Sequence, residues 1–214
     1  MRIGVLLSGC GLYDGSDVHE TVFVLEALER AGERPTLLAP DRPLGRTVDH
    51  LTGDAVDGET RNVLRESARL ARTPVRALES VRPDHLEALI VPGGYGPVVN
   101  LTEGFAVPGA GLALSADVAA FVGHFLRERK PVGVVGLGEV VVRLALKEAV
   151  RPPDPTPSPE ALSIDADRPV IATPGFGGFG RFREVRLGID RMVQEILRRL
   201  GERGTPEQES GGRG

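Results

Sequence analysis

The chain has little cysteine and little lysine. Cys10 is the one cysteine among 214 residues, so no intrachain disulfide can form, which is typical of proteins in a reducing cytoplasm. Lys130 and Lys147 are the only lysines, and the 26 basic residues form no block in a chain of net charge −4. Because phosphate recognition needs clustered cations, we expect no nucleic-acid partner. We predict a cytoplasmic protein.

Long apolar runs and metal-binding motifs are absent too. No stretch approaches the roughly 20 apolar residues of a membrane-spanning helix, so we expect no membrane association. The run at residues 1–7 is too short for a signal peptide. The four histidines are scattered without the spacing of metal ligands. We therefore expect no metal and no other cofactor.

What the sequence does contain is an alternation of short apolar runs and amphipathic segments. Five runs predict strands, at residues 3–7, 34–39, 88–91, 132–135 and 169–173. Helical patterns follow them, at residues 18–31, 59–71, 116–128, 139–149 and 183–200. This alternation predicts an α/β fold with one domain, a three-layer sandwich in which a mostly parallel sheet carries helices on both faces.

Two segments are predicted to lie outside the regular elements. Residues 151–159 hold five prolines and must form a loop. Residues 201–214 are polar and rich in glycine, which predicts a disordered tail after a domain spanning 1–200.

Three glycine-bearing loops, at residues 8–16, 93–96 and 136–138, follow predicted strands. Ligands bind parallel sheets at the carboxyl ends of the strands, so these loops predict a pocket there. The backbone N–H groups around Gly93 and Gly94 can face an anionic ligand or oxyanion, or the pair can simply form a tight turn that needs positive φ. The glycine-rich run 175–180 is interpreted as a flexible loop.

Side chains near the first of these loops have alternative roles. Glu20, at the start of the first helix, can be a capping carboxylate or a pocket carboxylate with a raised pKa that exchanges protons with a substrate. His19 can lie on the surface or assist in the site. Cys10 can be a small buried side chain or a thiol whose pKa is lowered by a helix N-terminus.

The segment 130–139 predicts a strand, a tight turn and a helix, the shape of a nucleophile elbow. The residue at the turn is Gly136, which has no side chain and cannot attack a substrate. No other arrangement of serine, cysteine and histidine is convincing.

Residues 3–20 (IGVLLSGCGLYDGSDVHE) resemble the ElbB branch of the ThiJ/PfpI superfamily, which has the class I glutamine amidotransferase-like fold. Shorter matches extend the resemblance to about Leu200. They are HLTG at 50–53, TRNVL at 60–64, LIVPGGYG at 89–96, NL at 100–101, KPVG at 130–133, TP at 173–174 and GID at 188–190.

The resemblance implies a glutathione-independent glyoxalase-type activity on small dicarbonyls, a link to isoprenoid biosynthesis by name, and a homodimer. It also implies an elbow cysteine, a carboxylate on the first helix and backbone N–H groups that stabilise an alkoxide. Glu20 matches the carboxylate, Gly94 the first backbone donor and Leu137 the residue after the nucleophile. The nucleophile falls on Gly136.

Two further departures lie nearby. Val99 stands before Asn100 where the resemblance implies lysine, and Gly138-Glu139 stands where it implies a small residue and proline. We therefore predict a degenerate homologue that binds a small carbonyl or carboxylate ligand without covalent chemistry. The ligand-binding residues would be Gly93, Gly94, Leu137, His19 and Asn100.

Two alternatives remain open. One is an active glyoxalase- or hydrolase-like enzyme that acts on small carbonyl compounds through Glu20 and Cys10. The other is a scaffold or interaction protein.

Overall fold

A seven-stranded sheet forms the centre of the fold. The computed structural model describes residues 1–105, 107, 111–150, 157–178 and 180–204. The strands are β1 (Ile3–Leu6), β2 (Thr36–Ala39), β3 (Arg76–Ala77), β4 (Ala88–Val91), β5 (Thr102–Glu103), β6 (Ala113–Leu114), β7 (Val132–Val135), β8 (Ser163–Ile164) and β9 (Val170–Thr173). The order in the sheet is β3-β2-β1-β4-β7-β9-β8, all parallel except β8, while β5 and β6 pair separately.

Helices cover both faces of this sheet, which confirms the predicted three-layer α/β architecture. They are α1 (Val18–Arg30), α2 (Val63–Ala71), α3 (Gly96–Val99), α4 (Ala116–Arg127), α5 (Glu139–Ala145) and α6 (Phe182–Gly204). One core layer joins the sheet to α1, α2 and α6, and the other joins it to α4 and α5. No helix in the described ranges combines the length and apolar character needed to span a bilayer.

The central strands form where the sequence is apolar without interruption. Every residue of β1, β4 and β7 is buried. A parallel strand with helices on both faces has no solvent side, so it shows a continuous apolar run rather than an alternating one. Because these three strands are neighbours, the loops after them meet at one edge of the sheet.

Several boundaries differ from the predictions for local reasons. The predicted helix 59–71 begins only at Val63, because the Asn62 side chain accepts a hydrogen bond from the Arg65 N–H and caps it there. The helix predicted to reach residue 149 ends at Ala145, since Lys147 adopts a left-handed φ of 59°.

The predicted tail begins too early. Helix α6 continues to Gly204, and ion pairs of Arg198 with Glu195 and Glu202 join its last turns at helical spacing. Residues 205–214 of the predicted tail and residues 151–156 of the proline-rich loop lie outside the described residues.

Candidate functional site

The first helix begins at the carboxyl edge of the sheet. Asp17 is its N-cap, and its Oδ1 accepts hydrogen bonds from the N–H groups of His19 (2.9 Å) and Glu20 (3.0 Å). The interpretation of Glu20 as the capping carboxylate is therefore wrong, because Asp17 performs that role. The Glu20 side chain instead enters the protein and is only 2% exposed.

Two backbone N–H groups hold the Glu20 carboxyl. Gly93 N–H donates to Oε2 at 2.9 Å, and Phe176 N–H donates to Oε1 at 2.8 Å. Gly93 follows β4 and Phe176 follows β9. Glu20 thus joins helix α1 to two loops at the carboxyl edge of the sheet.

Burial raises the pKa of Glu20 to about 8, and the nearby charge of Asp17 adds to the rise. The two N–H donors act in the opposite direction, because they favour the carboxylate. The carboxyl is therefore mostly protonated at neutral pH. A protonated carboxyl can accept both backbone N–H groups and still donate its own O–H.

Three glycines surround this carboxyl. A Cβ at Gly93 would lie 2.5 Å from Glu20 Oε2, and one at Gly175 would clash with Oε1, so neither position has room for a side chain. A Cβ at Gly136 would lie 3.5 Å from Oε1 and 3.8 Å from Oε2, which is ordinary van der Waals contact, and 3.3 Å from the Pro174 carbonyl oxygen, which is tight. A side chain at position 136 would therefore lie beside Glu20, at the cost of the left-handed backbone strain and a small shift at Pro174.

Gly136 lies in a short 3-10 turn, Gly136–Gly138, between β7 and α5. Its φ of 49° is left-handed, as expected for the strained turn of a nucleophile elbow. Leu137 comes next, and its N atom would be 3.3 Å from a Cβ on Gly93. The structure thus brings together Glu20, Gly93, Gly136 and Leu137.

The turn at Gly94 has a steric cause. Its φ is 81°, and a Cβ there would lie 2.5 Å from both the Asp17 N and the Gly15 O. Glycine is needed at this point whatever the loop binds. The proposed role of the Gly94 N–H group as a donor to a ligand stays a prediction.

Two predicted ligand residues have other surroundings. The ring of His19 is exposed and lies edge-on to Phe182, with centroids 4.7 Å apart. Asn100 is 3% exposed and binds backbone only: its Nδ2 donates to the carbonyls of Ser8 (2.7 Å) and Asp14 (2.8 Å), and its Oδ1 accepts from Gly45 N–H. Both amide hydrogens are in use, so Asn100 positions loops instead of facing a ligand.

Cys10 lies in a different environment from Glu20. Its thiol is partly buried, and burial together with the charge of Glu66 raises its pKa above the ordinary value. This direction does not favour a thiol activated by a helix N-terminus, and that role of Cys10 stays a prediction. The charge of Arg69 on helix α2 lowers the pKa of Cys10, but its effect is smaller.

Sequence reasoning missed Gly175 and Phe176, which contact Glu20 from the far end of the chain. The segment Gly175–Gly178 is a 3-10 turn, where a flexible loop was predicted for 175–180; residue 179 lies outside the described residues. One signal in the sequence was available. The segment Gly175–Gly178 follows the predicted strand at 169–173, just as each of the three glycine loops of the pocket follows a predicted strand.

A cavity of about 200 Å³ adjoins the elbow, bounded by Gly136, Leu137, α5 and β9. In the described part of the chain, no group of three histidine, cysteine, aspartate or glutamate side chains is placed to hold a metal ion.

The parallel sheet, the glycine elbow after a central strand and the buried glutamate from the first helix fit a class I glutamine amidotransferase-like protein. The chain is 30% identical to the human "Glutamine amidotransferase-like class 1 domain-containing protein 3, mitochondrial", over 94% of this chain and 84% of that protein. It is equally similar to the rat "ES1 protein homolog, mitochondrial", over 94% and 85%. The chain belongs to this ES1 family of class 1 glutamine amidotransferase-like proteins.

Solved structures agree with this assignment. An isoprenoid biosynthesis protein with amidotransferase-like domain from Ehrlichia chaffeensis superposes with a TM-score of 0.84 and 27% identity, over 94% of this chain and 100% of that one. A ThiJ/PfpI domain protein from Brachyspira murdochii has the same fold, with a TM-score of 0.53 and 12% identity over 93% and 97% of the two chains. No family model matches the chain.

The comparisons leave two expectations as predictions. The human and rat relatives are mitochondrial by name, so they do not support the cytoplasmic location. The homodimer implied by the resemblance also stays a prediction.

Proposed function

We propose that this chain is a degenerate homologue of glyoxalase-type ancestry that binds small carbonyl or carboxylate compounds without forming a covalent bond to them. The observation that carries the proposal is the closeness of residue 136 to the Glu20 carboxyl. A side chain there would begin 3.5 Å from the Glu20 carboxyl, at the turn where the resemblance implies a nucleophile, yet the residue is glycine.

The remaining groups suit non-covalent binding of a carbonyl or carboxyl oxygen. The protonated Glu20 carboxyl can donate a hydrogen bond to such an oxygen. Without a nucleophile the carbonyl carbon of the ligand stays trigonal, and no alkoxide forms for the backbone N–H groups to stabilise. The expected outcome is binding with negligible turnover.

An enzyme without the elbow nucleophile is the second candidate. A pKa of about 8 would suit Glu20 to acid–base catalysis near neutral pH. Cys10 is a poor nucleophile for such an enzyme, because burial keeps its thiol protonated and its surroundings differ from those of Glu20. This candidate therefore depends on Glu20 alone.

Methylglyoxal turnover by the purified protein tests the two candidates. We expect the wild-type chain and the Cys10→Ser variant to be equally inactive. Gly136→Cys should restore turnover, by about 100-fold or more over background, because a missing nucleophile costs several orders of magnitude in rate. Gly136→Ser is the matched control: it carries the same left-handed backbone strain and a similar volume, but no thiol.

The proposal fails if the wild-type protein turns over methylglyoxal and Glu20→Gln abolishes that activity. It also fails if isothermal titration calorimetry detects no binding of any small 2-oxo acid or dicarbonyl. Gly136→Cys without activity, in a protein that still binds these compounds, would show that the ancestral chemistry was not of the glyoxalase type.

A further inference from the structure

The cavity beside the elbow has a mostly apolar wall. It lies between α5 on one side and the β8–β9 pair on the other, and its volume is about 200 Å³. Leu137 and Val140 line it from the elbow and α5, and Leu162 and Ala172 line it from the opposite side. Such a wall favours an apolar ligand group over water.

Two charged residues that line the cavity neutralise each other. Arg143 Nη2 lies 2.5 Å from Glu139 Oε1, one helical turn away on α5. Glu148 adds a second carboxylate at 3.7 Å from Arg143. Since the Arg143 guanidinium already has carboxylate partners, we expect no charged ligand group in this part of the cavity.

The cavity meets the candidate site at one residue. Gly136 forms part of the cavity wall, and a Cβ on the same residue would contact the Glu20 carboxyl. A ligand in the cavity can therefore bring one end to the elbow while the rest extends along α5. Because residue 136 is glycine, no side chain of this residue occupies the space beside the Pro174 carbonyl and the Glu20 carboxyl.

We propose that the ligand is a carbonyl or carboxylic compound with an apolar tail, whose head lies at Gly136 and whose tail fills this cavity; this rests on the proposed function. A cavity of about 150 Å³ holds a molecule the size of benzene. The larger cavity of this chain accordingly fits a ligand of about six to eight heavy atoms. Two- and three-carbon dicarbonyls, which have only four and five heavy atoms, would leave part of it empty.

Calorimetric titration with a series of straight-chain 2-oxo acids, from glyoxylate to 2-oxooctanoate, tests the proposal. Each methylene buried in an apolar cavity should lower the Kd about fourfold. We expect this gain to continue to about 2-oxopentanoate, which has eight heavy atoms, and then to stop, because the cavity is full.

Two variants fill the cavity from different sides. Ala161→Phe and Ala172→Leu should each abolish the dependence on chain length and weaken the binding of glyoxylate and pyruvate less than that of the longer acids, since both residues line the cavity. Ala113→Phe is the matched control, because Ala113 is exposed and lies on β6. It should keep the full chain-length series.

The results separate this inference from the proposed function. Equal affinity for short and long acids would overturn the inference and leave the proposed function intact. A chain-length series that survives both filling variants, each shown by thermal unfolding to be folded, would also overturn it. No binding by any of these acids, together with no binding of glyoxal or methylglyoxal, would overturn both.

Discussion

The Glu20 side chain is a buried acid between two backbone donors, and its protonation is linked to folding. An unfolded glutamate releases its proton near pH 4.5, while burial raises the pKa of folded Glu20 to about 8. Between these values the folded chain holds a proton that the unfolded chain has lost. The free energy of unfolding therefore decreases as the pH rises through this window.

We predict that urea unfolding of the wild-type protein shows this loss, on the order of 4 kcal/mol between pH 4 and pH 9. Glu20→Gln should remove the share of this pH dependence of the free energy of unfolding that Glu20 causes. The variant should also start about 1–3 kcal/mol less stable at pH 5, because a carboxamide nitrogen cannot accept the second backbone N–H.

Glu29→Gln is the control for this experiment, since Glu29 is exposed on the same helix. It should keep the wild-type slope. Parallel stability curves for the wild type and Glu20→Gln would show that Glu20 is ionised in the folded protein at neutral pH, and the hydrogen-bond donor assigned to it would then be lost.

Among the loops, Asn100 connects segments that the sequence places far apart. It follows α3 and binds the carbonyls of Ser8 and Asp14 in the first glycine loop and the N–H of Gly45 after β2. The first glycine loop carries Asp17 at its end, which starts α1 and so sets the position of Glu20. Asn100 therefore holds the site without touching a ligand.

We predict that Asn100→Ala lowers the free energy of unfolding by about 3 kcal/mol or more, because three buried backbone groups lose their partner. Asn100→Asp should be as damaging despite its similar shape, since a carboxylate would face two carbonyl oxygens. The Asn62→Ala variant loses the cap of α2 and an exposed hydrogen bond to Asp41, and it should cost about 1 kcal/mol. Urea unfolding measures all three, and a stable Asn100→Asp protein would contradict the assignment.

The sequence predicts a helix or strand well when the residues that cause it lie within that element. The runs at 88–91 and 132–135 are apolar throughout, and the strands observed there have the predicted bounds. The two-residue strands β3, β5, β6 and β8 are too short to produce a pattern. They were accordingly missed, as was the single turn of α3.

The site was predictable in part for the same reason. The glycines after the strands indicate the edge of the sheet where Glu20 and Gly136 meet, and the missing side chain at residue 136 is visible in the sequence. The partner of Glu20 at Phe176 is not visible there, because that hydrogen bond joins residues 156 positions apart. The inward direction of the Glu20 side chain is likewise visible only in the folded chain.

At low pH, the stability of the whole molecule should be limited by carboxylates other than Glu20. Hydrogen bonds from Arg198 lower the pKa of Glu195 on α6 to about 2. The hydrogen bond from Arg82 lowers the pKa of Asp84. These carboxylates stabilise the folded state only while they are charged, so their contribution is lost as the pH falls below their ordinary pKa values, 4.5 for Glu195 and 3.8 for Asp84.

Together with Glu20, these groups predict a stability maximum near pH 5, on the acid side of neutrality. Below it the paired carboxylates become protonated, and above it folded Glu20 retains a proton that the unfolded chain releases. Glu195→Gln should flatten the rise in stability between about pH 3 and pH 5 and lower the curve by a constant amount above that range. Glu20→Gln should flatten the fall in stability on the alkaline side. Thermal unfolding across pH 3–9 measures both slopes. A wild-type maximum at pH 8, or one variant that flattens both slopes, would contradict this assignment because the two groups lie on separate elements and titrate in separate windows.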